Sequence, residues 1–396
     1  MADDTTFELE LTGMAHGGSA VGRHKGRAIF IPYAIPGERV MARITQDKGR
    51  YANAEVVEVV APSQSRVIPR CPHFGPGRCG GCHWQHMDYP AQLAFKQQVI
   101  ADQLARIGGL RDVTVHPTIP SFDPWYYRSH VTFHVTDEGR LGFVATDNQT
   151  VIPIEECHII RPELAAMFEA MKTQRFTPGE RLRLQLGTDG SERMAAVVGE
   201  ELPSPLPEGS QSSVVHYTVK GRRFQVSAGS FFQVNLPQAE TLVDLVLDRL
   251  QLQGAERALD LYAGVGLFTA FLAEHAAHVT AVESYPPAVQ DALANLNSFN
   301  NVEIMEGAVA EALDEVKGRC DAVVTDPPRA GMEREALDAL VELNPAKMVY
   351  VSCDPATLAR DAKRLSNNGY RLLDVQPVDM FPQTYHIEAL ATLVRV

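Results

Sequence analysis

The sequence predicts a multidomain chain. An N-terminal small β-barrel of the oligonucleotide-binding kind leads into a central α+β region, followed by a C-terminal, doubly wound α/β domain with seven strands. Three observations predict it. Residues 7–60 are a series of short β-type runs separated by turn residues. From about Gly229 onward, apolar strands alternate regularly with helical stretches. And 396 residues exceed what one ordinary domain holds. The expected divisions are residues 1–62, 63–228 and 229–396.

In the first region Phe7-Glu8-Leu9-Glu10-Leu11 alternates strictly, and Gly17-Gly18 turns the chain. Residues 28–31, 39–45 and 55–60 supply further runs rich in Val and Ile, a length that suits a five-stranded barrel. Arg23, Lys25, Arg27, Lys48 and Arg50 fall in its turns, where a phosphate backbone could be met. Ala61-Pro62-Ser63-Gln64-Ser65 reads as the linker that ends it. The middle mixes a helix over residues 89–107 with strands such as 129–135 and 181–185, and has a polar, Pro-rich loop at 202–213. In the last region the expected strands are 258–261, 279–282, 302–305, 322–325, 347–351, 371–375 and 389–394. Such a sheet binds ligands beyond the carboxyl ends of its strands.

Hydrophobic content of 45% and charged content of 21% are those of a globular protein with ample core. No apolar run approaches membrane-spanning length. The opening MADDTTFELE is acidic and alternating, unlike a signal or transit peptide. A cytoplasmic, monomeric protein is expected, in which disulfides are disfavoured and the six cysteines need another use. The net charge of −13 is unevenly spread: residues 20–80 hold ten Lys/Arg against four Asp/Glu. An RNA-contacting N-terminal region on a repulsive body fits that asymmetry; charge alone equally allows a solvated basic face.

Asp260-Leu261-Tyr262-Ala263-Gly264-Val265-Gly266 sits where the first strand of the α/β domain turns into its first helix. The glycines allow a tight turn and close approach by a ligand. Glu283 ends the second strand, where a carboxylate can accept hydrogen bonds from ribose hydroxyls. The third glycine of a dinucleotide fingerprint is replaced by Thr269. That disfavours NAD and FAD and leaves a nucleoside without a pyrophosphate, such as S-adenosylmethionine. Asp326-Pro327-Pro328-Arg329 follows the fourth strand, and its prolines stiffen the loop at the same sheet edge.

Cys353 stands just beyond the fifth strand in Ser352-Cys353-Asp354-Pro355. A lone cysteine is commonly a small buried hydrophobe, as expected for Cys320; the loop of Cys353 instead adjoins the expected cofactor site. One chemistry needs a thiol there. Uracil C5 is a feeble nucleophile, and a thiolate adding at C6 turns the ring into an enolate that is nucleophilic at C5. A base must then remove the C5 proton, and Glu388, before the final strand, is a candidate.

The stretches Asp326-Pro327-Pro328-Arg329-Ala330-Gly331, Ser352-Cys353-Asp354-Pro355-Ala356-Thr357 and His386-Ile387-Glu388 resemble the signatures of the RNA uracil-5-methyltransferase family. Residues 1–62 resemble that family's TRAM domain, and Ser230-Phe231-Phe232-Gln233-Val234-Asn235 its approach to the catalytic domain. The resemblance implies Cys353 as nucleophile and Glu388 as proton acceptor. It implies Gln233, Tyr262, Glu283 and Asp326 as the residues that bind S-adenosylmethionine.

Cys71, Cys79 and Cys82 cluster among four glycines, and Cys157 offers a fourth thiolate from far along the chain. Four thiolates suit zinc or an iron–sulfur cluster, and the spacing does not separate the two. The resemblance, closest to the 23S rRNA enzymes, implies a four-iron, four-sulfur cluster at these positions, with zinc second. The seven residues between Cys71 and Cys79 make a longer loop than the family pattern has. A target uracil stacked in folded RNA must be extruded to reach Cys353. Trp125-Tyr126-Tyr127-Arg128 could stack on bases and hold phosphate, or serve core packing. 23S rRNA is the favoured substrate and tRNA the alternative. An RNA cytosine-5-methyltransferase would need a further catalytic Pro-Cys, and neither Cys320 nor Cys353 follows a proline. A non-catalytic RNA-binding factor would not need Cys353 and Glu388, and an iron–sulfur oxidoreductase would need the missing dinucleotide fingerprint.

Overall fold

The computed structural model describes residues 6–198, 204–205, 213–316 and 318–396. The loop expected at 202–213 therefore lies almost wholly outside the described residues.

Strands β1 (Phe7–Met14), β2 (Ala20–His24), β3 (Arg27–Ile31), β4 (Arg39–Asp47) and β5 (Tyr51–Ala61) close into a barrel in the order β1-β2-β3-β5-β4. Alternation puts Leu9, Leu11, Ile29, Ile31 and Val40 inside it. β2 has no alternating apolar run of its own and escapes sequence inspection; its Gly22 has to be glycine, because a Cβ would stand 2.4 Å from the Glu10 carbonyl oxygen. Of the turn cations, Arg27 is held by Asp47 at 2.8 Å, while Lys25, Lys48 and Arg50 are exposed.

Helix α1 (Tyr89–Gln103) starts where the Asp88 carboxylate accepts from the Ala91 N–H at 3.0 Å, with a proline in the first turn. It gives way to a wider turn over Leu104–Gly108, so the regular helix ends short of the expected residue 107. Strands β6 (Thr114–Val115), β7 (His130–Val135), β8 (Leu141–Val144) and β9 (Val151–Pro153) precede helix α2 (Pro162–Met171). After α2 come β10 (Arg181–Leu186), β11 (Arg193–Val198) and β12 (Ser204–Pro205). All but β6 join one antiparallel sheet, β12-β11-β10-β7-β8-β9, on which Phe133 stacks between Phe143 and Phe168. The hairpin β13 (Val214–Val219) and β14 (Arg222–Ser227) lies N-terminal of the expected division at 229. Its Val215, Tyr217 and Phe224 nevertheless share a core with the C-terminal sheet.

The C-terminal region runs α3 (Leu236–Leu250), β15 (Arg257–Leu261), α4 (Leu267–Leu272), β16 (His278–Glu283), α5 (Pro286–Leu296) and β17 (Val302–Glu306). It continues through α6 (Val309–Glu315), β18 (Ala322–Thr325), α7 (Arg334–Leu343), β19 (Lys347–Ser352), α8 (Pro355–Asn367), β20 (Tyr370–Val378) and β21 (Glu388–Arg395). The order is β17-β16-β15-β18-β19-β21-β20-β6, with β21 antiparallel between β19 and β20. This corrects the expected count of seven to eight. The extra strand, β6, comes from the central region and pairs through only Thr114 and Val115, too short a run to show a sequence period. Helices α3–α5 and the hairpin cover one face; α1 and α6–α8 cover the other. Each fully buried Val or Leu in these layers contributes about 1.5–3 kcal/mol. No helix among the described residues is long and apolar enough to cross a membrane.

Candidate active site

The carboxyl ends of β15, β16, β18 and β19 open on a cavity of about 700 Å³ that contains all six residues expected there: Gln233, Tyr262, Glu283, Asp326, Cys353 and Glu388. At the tip of β15 the buried Asp260 accepts from Thr269 Oγ1 at 2.5 Å, tying the strand end to α4. The turn between them bends through left-handed Tyr262, Gly264 and Gly266. At Gly266, φ is 88° and a Cβ would meet Leu296 at 2.8 Å, so only glycine fits. The Gly264 N–H donates to Glu283 Oε2 at 2.8 Å, and Ser284 and Tyr285 N–H groups donate to Oε1. Oε1 thus accepts twice, whereas Oε2 accepts once and keeps a lone pair for a ligand hydroxyl.

Register sets the opposite wall. β19 and β21 pair Ser352 with Ala389, so the next residue of each strand end, Cys353 and Glu388, face one another. Burial pushes the Cys353 thiol up to about 12, and Glu388 and Asp326 add to it; the Arg329 guanidinium pulls the other way. Burial likewise holds Glu388 well above the usual carboxylate range, and Asp326 rises to about 7. Crowded acidic groups that raise one another in this way are poised to give and take protons. Three more residues belong to this site beyond those singled out from the sequence: Arg329, His386 and Phe231. Burial and Arg329 hold the His386 imidazole down to about 3, so the neutral ring can accept from the Arg329 guanidinium at 2.9 Å. Phe231, which also lines the cavity, is 60% exposed. Arg329 and His386 lay inside quoted motifs, yet only the fold shows that they meet.

The loop between β20 and β21, which delivers Glu388, is clamped from three sides. Lys96 on α1 pairs with Asp379 at 2.5 Å, both fully buried. Gln92 donates to Gln383 Oε1 at 3.1 Å and accepts from its N–H at 2.9 Å. The N–H groups of His83 and Trp84 both donate to the Gln383 carbonyl. The barrel reaches in as well. His16 lies 3.3 Å from the Asp354 carboxylate, Trp84 Nε1 donates to the Gly18 carbonyl at 3.1 Å, and Gly18 packs so closely on Tyr385 that a Cβ would stand 2.7 Å from it.

Cys71, Cys79, Cys82 and Cys157 line a separate cavity of about 300 Å³. Amide N–H groups point at the sulfurs: Gly81 donates to Cys79 at 3.3 Å, His73 and Phe74 to Cys71, Ile159 and Ile160 to Cys157. Gly80 passes so near the Val144 carbonyl that a Cβ would stand 2.9 Å away. Burial raises these thiols, Cys79 to about 11, so a bound cation would have to displace their protons. Among the described residues no three metal-ligating side chains converge on a point that would grip a single ion. The four thiols instead surround a space.

Residues 212–396 match the family described as tRNA (Uracil-5-)-methyltransferase, and residues 5–57 match the TRAM domain. An uncharacterized RNA methyltransferase of Halalkalibacterium halodurans is 36% identical, over 98% of this chain and 96% of its own. One of Thermosynechococcus vestitus is 34% identical over 98% of each. The crystal structure of Pyrococcus abyssi tRNA (uracil-54, C5)-methyltransferase with S-adenosyl-L-homocysteine superposes with a TM-score of 0.74 at 27% identity, covering 98% of this chain and 100% of that one. A TRAM barrel, a methyltransferase fold and relatives matched nearly end to end agree: the chain belongs to the RNA (uracil-5-)-methyltransferase family and is an S-adenosylmethionine-dependent enzyme that methylates uracil in RNA.

Proposed function

We propose that the reaction runs through a covalent bond between Cys353 and C6 of the target uracil. The observation that carries this reading is the pairing of Cys353 with Glu388 across neighbouring strand ends in one cavity. The thiolate forms the S–C6 bond, and the C5–C6 electron pair moves into the ring as an enolate. C5 takes the methyl group, with S-adenosylhomocysteine as the leaving thioether, and the C5 proton passes to Glu388 in its ionised form, which burial and Asp326 oppose and Arg329 favours. The electrons of that C–H bond restore C5–C6 and expel the Cys353 thiolate. Gln233, Tyr262, Glu283 and Asp326 hold S-adenosylmethionine, which supplies an electrophilic methyl group. Arg329 favours the Cys353 thiolate against burial and the Glu388 and Asp326 carboxylates, which raise the thiol.

Cys71, Cys79, Cys82 and Cys157 would hold a four-iron, four-sulfur cluster. Four thiols lining one cavity, with amide donors aimed at sulfur, support this reading. The methylation transfers no net electrons, so a cluster held there would serve structure, fixing Cys82 next to the His83 and Trp84 N–H groups that donate to the Gln383 carbonyl. Protein purified without oxygen should be brown and hold about four irons. Stoichiometric zinc without charge-transfer absorption would contradict this.

The substrate we place first is 23S rRNA, because the four-cysteine set and the TRAM barrel occur together in this chain. A tRNA reading is favoured by the full-length likeness to the Pyrococcus abyssi enzyme. Mapping 5-methyluridine in both RNAs from cells lacking the protein decides between them: the site that disappears is the target.

A further inference from the structure

Arg329 and Cys353 reach the catalytic cavity from different strand ends, and the stretch that carries Arg329 has no regular structure of its own. Residues 328–332 run between β18 and α7, outside any helix or strand. Their backbone is held by side chains of another element. Thr357 Oγ1 donates to the Arg329 carbonyl at 3.3 Å. Arg360 Nη2 donates to the Ala330 carbonyl at 2.9 Å and to the Met332 carbonyl at 3.2 Å. The Met332 N–H donates to Asp361 Oδ2 at 3.0 Å. Gly331, at a φ of 75°, passes so close that a Cβ would stand 2.5 Å from Arg360 and 2.6 Å from Asp361.

Thr357, Arg360 and Asp361 lie three and four positions apart on α8 and so share one face of it. Cys353 stands one residue before Asp354, which caps the same helix. The thiol and the loop that carries the guanidinium are therefore mounted on one element. Asp361 is the centre of this hold. Its side chain is fully buried, where a carboxylate has to be paired. Oδ2 also accepts from the Tyr350 hydroxyl of β19 at 2.7 Å, and Oδ1 accepts from Arg360 Nε at 2.7 Å. None of the three α8 residues lines the catalytic cavity.

We propose that Asp361 is a positioning residue, which keeps the Arg329 guanidinium against Cys353 by fixing residues 328–332 to α8. Its importance for methyl transfer rests on Cys353 being the nucleophile. A loop tied through its backbone to one helix face has little freedom, and untying it returns that freedom. The guanidinium then spends less time beside the sulfur, and its attraction for the thiolate falls with distance. The Glu388, Asp326 and Asp354 carboxylates all oppose the thiolate, so none of them replaces the lost attraction. Asp326 has a tie of its own, since its N–H donates to the Leu261 carbonyl at 3.2 Å. Loss of the hold on residues 328–332 should therefore reach the thiol and spare the cofactor.

The test is alkylation of Cys353 by iodoacetamide at pH 9 in the full-length protein, measured beside turnover. Asp361→Asn keeps the shape of the side chain and removes the charge that Arg360 answers. It should slow alkylation about three- to tenfold, as a rise of about half to one unit in the thiol would. It should lower kcat by a similar factor and leave the KM for S-adenosylmethionine unchanged. The Arg360 side chain is 51% exposed, so Arg360→Met spares the core and should act in the same direction even if Asp361→Asn does not fold. In an Arg329→Met background neither change should slow alkylation further, because the guanidinium they place is gone. A general loosening of the fold would act in both backgrounds. A further loss in that background, or parent-like alkylation in both Asp361→Asn and Arg360→Met, would overturn the proposal. Slowed alkylation with parent-like kcat would uphold the hold on Arg329 and contradict Cys353 as the nucleophile instead.

Discussion

Arg329 counters the negative charge around Cys353, and it does so from hydrogen-bonding distance of a neutral His386. Replacing it by methionine should slow thiol addition about tenfold for each unit by which the thiol rises further. The pH dependence has a definite sign. A raised thiol pKa favours the neutral form, so reactive thiolate at Cys353 grows with pH. In enzyme without S-adenosylmethionine, alkylation of the Cys353 peptide by iodoacetamide should climb about tenfold per pH unit well past 9, towards about 12. A plateau near the ordinary thiol range, read by mass spectrometry of that peptide, would contradict the buried, negatively biased site. Cys353 and Glu388 could be picked out of the sequence because each lies in a short motif at a strand end. His16 could not: its partner Asp354 is hundreds of residues away, and nothing local marks the pairing.

At the scale of elements, the parallel strands were legible because burial on both faces leaves near-continuous apolar runs, as in Ala322–Thr325. Strand β6 and strand β2 were not, being short or held by partners rather than by their own pattern. Helix α8 begins at Asp354, just before Pro355, and its carboxylate accepts from the Ala356 and Thr357 N–H groups at 2.9 and 3.0 Å. Burial alone would raise Asp354, but His16 and the two helix N–H groups outweigh it and bring the carboxyl down to about 2 from 3.8. A depressed carboxyl stabilises the fold above its unfolded value and loses that contribution as pH falls from about 4 through about 2. Asp354→Ala should therefore cost about 1 kcal/mol at neutral pH, by urea denaturation, and much less near pH 2. An equal cost at both pH values would show that the carboxylate charge is not what caps the helix.

Across the whole molecule, the expected three-part division understates how the parts share cores. Met14 and Ile35 of the barrel region and Trp84 and Ile100 of the central region pack in one cluster with Tyr350 and Ile387 of the C-terminal domain. Such contacts join residues far apart in sequence, and no periodicity reports them. Removal of residues 1–62 should accordingly do two things. It should weaken RNA binding and flatten its salt dependence, since exposed Lys25, Lys48 and Arg50 would no longer release counterions from phosphate. It should also lower turnover at saturating RNA, because His16 and Gly18 brace the loops that carry Cys353 and Glu388. An unchanged salt slope would remove the barrel's role in binding, and unchanged saturated turnover its role in bracing.

The covalent route has its most direct test in the intact protein–RNA species on a denaturing gel. Glu388→Gln is nearly isosteric and removes the base, so addition and methyl transfer should proceed while elimination stalls. That variant should accumulate a methylated adduct with RNA that survives denaturation, and Cys353→Ala should form none. Normal turnover by Glu388→Gln, or an adduct that persists in Cys353→Ala, would contradict the roles given to both residues.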